Sequence, residues 1–162
     1  MTNSVCFIGH RSINDTPELR AALINTVIKL IESGTVNFIF GDNSDFDKLC
    51  LKVVTELKQK YPGIRRIHFR RNYPELNDYN MQFFLNGYDE SIFPAGVFPG
   101  KGSYIQRNRA MINESYICVF YYCTDNCSGS NGTKSAYDYA VKHNKIIINL
   151  FPKNLDLAFR LI

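Results

Sequence analysis

Two hydrophobic periods take turns along this chain. Val5 to Gly9 is a short β-rich run that stops at Gly9-His10-Arg11. Leu19, Leu23, Val27, Leu30 and Ile31 then recur at helical spacing until Ser33-Gly34. Thr16 or Asp15 can cap this helix, and Pro17 falls in its first turn, where a missing N–H costs nothing. Val36 to Phe40 reads as a second strand ending at Gly41. Leu49, Val53, Val54 and Leu57 mark one face of a second helix, from about Asp45 to Tyr61. Pro62-Gly63 breaks it, and Ile64 to Phe69 is a third strand.

From Tyr73 to Gly100 the periodicity is weak, and a long connection with a short helix near Asp78 to Leu85 is expected. Tyr104 to Asn113 reads as helix. Tyr116 to Tyr122 is almost unbroken apolar sequence, the pattern of a strand buried on both faces. Gly132 to His143 gives another helix, Lys145 to Leu150 a last strand, and Leu155 to Ile162 a short terminal helix. Strands alternating with helices imply parallel pairing with helices on both faces. The expectation is one α/β, doubly wound, mostly parallel Rossmann-like domain over residues 1–162.

Composition narrows the function. The 162 residues suffice for one core. A formal charge of +4 suits an anionic small molecule but falls short of the basic stripe of a dedicated nucleic-acid binder. Arg65, Arg66, Arg70 and Arg71 bracket the third strand and read as solvated strand ends. Of five cysteines, Cys6 and Cys118 fall in apolar runs as small buried hydrophobes. Cys123 and Cys127 bracket a loop, with no second pair to complete a zinc set. No leader-like or membrane-spanning run is visible, so a cytoplasmic location is expected.

In a parallel sheet, ligands occupy the crevice at the carboxyl ends of the strands, and three segments with unusual content fall there. In Gly9-His10-Arg11, glycine permits close approach, and Arg11 suits a phosphate or carboxylate. His10 is either an acid/base group or a hydrogen-bonded wall. In Gly41-Asp42-Asn43-Ser44-Asp45-Phe46-Asp47, Asp45 suits the helix cap, and a further acid can receive ligand hydroxyls or, with its neighbours, Mg²⁺. No other cofactor or metal is expected. In Ser128-Gly129-Ser130-Asn131-Gly132-Thr133-Lys134-Ser135, a small-residue turn opens a helix and can present amides and hydroxyls to an anion. Arg107 and Arg109 lie two apart on a helix, so only one faces a given ligand. The candidate ligand-binding residues are therefore Gly9, His10, Arg11, Gly41, Asp42, Asn43, Asp47, Arg107, Gly129, Ser130, Asn131, Gly132, Thr133 and Lys134. Arg107 and Asp47 are the candidates for any catalytic role.

Together these segments resemble the SLOG superfamily, the Rossmann-like group that includes lonely-guy phosphoribohydrolases and DNA-processing protein A. The likeness is carried by Phe7-Ile8-Gly9-His10-Arg11, by Gly41 and Asp47 of a G-G-A-x-G-x-D type loop, and by Arg107-Asn108-Arg109-Ala110-Met111 followed by a buried strand, a Gly/Ser/Thr turn and Tyr139-Ala140. The resemblance is to the small stand-alone bacterial and phage branch. It implies binding of a nucleotide or nucleotide-derived signal, of cyclic or ADP-ribose type, by a defence-related sensor or sequestering protein that forms a homo-oligomer, with a dimer favoured. The lonely-guy hydrolases use an Arg and a Glu; Arg107 fits the first, but the Glu position is Ala136. Glycosidic cleavage needs a carboxylate beside its oxocarbenium-like state, so binding is expected over catalysis. The alternative is a nucleotide N-glycosidic hydrolase or transferase that draws its acid from Asp42, Asp45, Asp47, Glu90, Glu114 or Asp125. A single-stranded DNA binder is the third reading. Tyr79, Tyr88 and Phe93 are either a stacking lid or internal packing.

Overall fold

A computed structural model describes residues 3–41, 44–71, 87–93, 96, 100–125 and 131–155. Six parallel strands form one sheet: β1 (Ser4–Gly9), β2 (Asn37–Phe40), β3 (Arg65–Phe69), β4 (Glu90–Ile92), β5 (Ile117–Tyr121) and β6 (Ile146–Asn149). Their order is β4-β3-β2-β1-β5-β6, so the winding reverses between β1 and β5. Four helices are described: α1 (Pro17–Glu32), α2 (Asp45–Lys60), α3 (Lys101–Glu114) and α4 (Asn131–Lys142). This is the doubly wound Rossmann-like arrangement that the alternating pattern predicts.

The period-two alternation of β1 explains the layering. Val5 and Phe7 join the core formed with Leu19 and Leu23 of α1 and with Phe46 and Val54 of α2. Cys6 and Ile8 face the opposite core, with Met111 and Ile112 of α3 and Ala136 and Ala140 of α4. β5 lies between β1 and β6, and its Cys118, Val119, Phe120 and Tyr121 are all buried. The unbroken apolar run thus has the two-sided burial expected of it.

Local signals account for most boundaries. Thr16 caps α1 by accepting from the Leu19 amide at 3.2 Å, with Pro17 in the first turn. Asp15 instead pairs with Arg20. The cap of α2 is Ser44, whose Oγ accepts from the Asp47 amide at 2.9 Å and donates to the Asp47 carboxylate at 2.7 Å. This reciprocal box satisfies two polar groups at once. It displaces Asp45, the expected cap, to the surface, where it pairs with Lys48.

The middle of the chain departs from expectation. Residues 90–92 form an edge strand paired with β3 inside the segment read as a connection. At three residues β4 is too short to show alternation, which is why the sequence pattern conceals it. The short helix expected near Asp78 to Leu85 lies outside the described residues, as do residues 156–162 of the expected terminal helix; 152–154 form a 3-10 turn. Arg65 is the exposed strand end expected of it, whereas Arg66 is largely covered. Arg65 pairs with Glu90, while Arg66 grips Asp89 and reaches the Thr55 hydroxyl at 3.1 Å. Burial alone would raise the Asp89 pKa, but the Arg66 side chain and amide, with Lys58, hold it down to about 2.

Cys6, Cys50 and Cys118 are free and buried, as their apolar surroundings suggest. Cys123 is disulfide-bonded. No described helix is long and apolar enough to cross a membrane.

Candidate functional site

Parallel pairing brings the ends of β1, β2, β3 and β5 to one rim. Three backbone and side-chain ties then bind the loops beyond them. The Asp45 amide, at the start of α2, donates to the Arg11 carbonyl at 2.8 Å. The His10 amide donates to the Tyr121 carbonyl at 3.2 Å, linking β1 to β5 across the reversal point. The Thr133 hydroxyl, in the first turn of α4, donates to the Gly9 carbonyl at 3.2 Å. The three predicted segments therefore do converge, and each contributes to holding the others.

At β1 the convergence is mainly architectural. A Cβ on Gly9 would meet the Phe46 ring at 2.5 Å, so glycine is required there by a neighbouring aromatic. His10 takes the wall role: its Nε2 accepts from the Cys123 amide at 3.0 Å, and its ring lies among Tyr121, Tyr122 and Phe151. Burial lowers its pKa below 6.5, consistent with a neutral ring whose Nε2 bears the lone pair. Next to it, the Asn149 side chain bridges both backbone groups of Tyr122, accepting at 3.1 Å and donating at 2.8 Å. The Arg11 side chain is exposed.

At β2 the arrangement changes. Arg107, from the buried face of α3, lays its guanidinium against Gly41: a Cβ there would sit 3.0 Å from Cζ. Its Nε and Nη2 donate to the Asn108 side-chain oxygen at 3.3 and 3.2 Å. Arg109 is exposed and rests over the Tyr139 ring, so the two arginines do face apart. The Arg107 cation also lies 5.5 Å from the Tyr104 ring centroid, and Arg71, just past the end of β3, lies 4.1 Å from that same centroid. Arg71 and Tyr104 are rim residues that sequence reasoning missed. Arg71 had the signal of a second arginine beyond a strand end, but nothing in the sequence separated it from Arg65 and Arg66.

Other candidates lie elsewhere or are engaged. Lys134 pairs with Asp138 one turn along α4, on the surface. Asp47 is buried in the α2 cap, while Asp45 points to solvent, so these two do not form a joint cation site. Among the described residues no cluster of three His, Cys, Asp or Glu could hold a metal. Of the alternative acids, Glu90 is tied to Arg65 at the start of β4, Glu114 ends α3 near the amino edge of the sheet, and Asp125 pairs with Lys153. Tyr88 stacks on His68 at 4.4 Å and leans on Phe40, which is the packing reading. Ala136 is buried in the α4 core. Asp42, Asn43, Tyr79, Gly129 and Ser130 lie outside the described residues, as does the side chain of Asn131; Gly132 has open space beside its Cα. A cleft of about 380 Å³ runs over the sheet face at β2, β3 and β4, lined from Asn37, Glu90 and Glu114 at the amino ends to Phe69 and Ile92 at the carboxyl ends of β3 and β4.

The fold has relatives of known structure. DNA processing protein A from Helicobacter pylori, described for its single-stranded DNA binding mode, superposes with a TM-score of 0.58 at 19% identity over 89% of this chain. The fold is shared. This chain spans 63% of that protein's length. The molybdenum cofactor carrier protein of Chlamydomonas reinhardtii superposes with a TM-score of 0.54 at 13% identity, covering 91% of this chain and 75% of its own. No protein-family model matches the sequence, and no curated protein matches it.

Proposed function

We propose that this chain is a SLOG-type domain, single over residues 1–162, that binds a phosphorylated nucleotide or nucleotide-derived signal at the carboxyl rim of its sheet. The carrying observation is the buried Arg107 guanidinium held against Gly41 at the end of β2. A planar guanidinium at a strand's carboxyl end suits a phosphate group. The Gly9-His10-Arg11 loop and the first turn of α4 adjoin it through the Asp45, His10 and Thr133 ties. Exposed Arg11 and the amino end of α4 at exposed Gly132 supply further donors. His10 and Asp47 act here as supports for the loops, and Lys134 contributes charge from the surface.

Sensing or sequestering fits this site better than cleavage. Ala136 carries no carboxylate, Glu90 and Asp125 are ion-paired, and Glu114 ends α3 near the amino edge of the sheet. Calorimetry with a panel of nucleoside mono-, di- and cyclic phosphates tests the reading. Saturable binding that falls at least tenfold in Arg107→Gln is expected; no heat with any member at millimolar concentration overturns it.

A second reading is supported by the likeness to a protein described for binding single-stranded DNA. It expects fluorescence anisotropy of a labelled oligonucleotide to rise with protein and to decline steeply with salt. A flat titration at low salt removes it.

A further inference from the structure

Arg71 is singular among the four arginines that bracket β3. Its Nε is buried and has no hydrogen-bond partner, and among the described residues no carboxylate pairs with it. Instead its guanidinium lies against the Tyr104 ring, which Arg107 also approaches. Both distances start from one centroid, so the two charges stand less than about 10 Å apart, roughly one Debye length at 0.1 M salt. Like charges at that spacing repel, and a buried donor without an acceptor costs free energy. One anion held by both guanidiniums offsets the repulsion. The adjoining first turn of α3 holds no acid and its Gly100 cap provides no side-chain acceptor, so the helix's positive end adds to the same field.

We propose that Arg71, Tyr104 and Arg107 form a clamp for a phosphate group over the ends of β2 and β3, separate from the α4 turn beside β1 and β5. The end of β3 is two strand spacings from Gly9, about 10 Å. A pyrophosphate is too compact to reach both places. The ligand class that fills both carries two phosphates separated by a nucleoside. This rests on the nucleotide reading above and sharpens it.

The test compares adenosine 5′-monophosphate, adenosine 3′,5′-bisphosphate and inorganic phosphate by calorimetry, on wild type, Arg71→Gln, Tyr104→Leu and Tyr104→Phe. Arg65→Gln, at the other end of β3, controls for general charge loss. The bisphosphate is expected to bind wild type at least tenfold more tightly than the monophosphate. That advantage should vanish in Arg71→Gln and Tyr104→Leu and survive in Tyr104→Phe and Arg65→Gln. Equal bisphosphate affinity in wild type and Arg71→Gln overturns the clamp while leaving the nucleotide site standing. Inorganic phosphate binding that depends on Arg71, with neither nucleotide bound, keeps the clamp and discards the nucleotide reading. No binding by any of the three discards both.

Discussion

Two consecutive arginines open strand β3 and two more follow its last residue, and the two ends use them differently. At the amino end, Arg65 and Arg66 meet Glu90 and Asp89, and those pairs fasten the three-residue strand β4 to the sheet edge. At the carboxyl end, Arg70 leans on the His68 ring nitrogen at 3.4 Å, and Arg71 lies on Tyr104 with its Nε unmatched. Identical chemistry therefore serves cohesion at one end, while at the other Arg71 has no carboxylate partner among the described residues. That arginine lies on the side where parallel sheets hold their ligands.

The largest expected effect comes from breaking the amino end. Arg66→Ala removes charged hydrogen bonds to a half-shielded Asp89 and should cost about 2 kcal/mol in urea unfolding. Phosphate binding should be untouched; if it falls as far as in Arg71→Gln, the two ends are not functionally distinct. At the carboxyl end, Gly41→Ala places a methyl against the Arg107 guanidinium. Destabilisation of about 1 kcal/mol is expected from overpacking, with nucleotide affinity lowered in calorimetry because the cation is pushed aside.

Acid sharpens the contrast. The Asp89 pKa is lowered in the folded state from 3.8 to about 2, so its contribution is complete above 3.8 and is lost as pH falls from there towards 2. Asp89→Asn should flatten the stability profile over that window, measured by denaturation at a series of pH values. His10 acts higher up: its folded pKa lies below 6.5, so stability should begin to decline as pH drops past that value. The smallest effect belongs to Arg71→Gln, which should shift unfolding by about 0.5–1 kcal/mol, because only the contact with the Tyr104 ring is lost.

The fold was largely legible because β1, β2, β3, β5 and β6 carry enough apolar residues to display a period, and because Pro17, Gly34 and Pro62-Gly63 punctuate the helices. β4 was not, since its short run relies on Arg65 and Arg66, distant in sequence, for its place. At the site, Arg107 and the convergence of three loops could be read from motif and topology. The roles of Gly9 and His10 could not: both depend on tertiary neighbours, Phe46 and the Cys123 amide, that no local pattern reveals. Arg71 looked like its counterparts at residues 65 and 66 because partner and absence of partner are written elsewhere in the chain.

The contact between Gly9 and Phe46 makes these two positions a single inherited unit. A side chain larger than hydrogen at 9 requires a smaller one at 46 to make room for it. Divergent copies of this gene should therefore change position 9 only together with position 46, and a laboratory library that varies position 9 alone should return mostly destabilised protein.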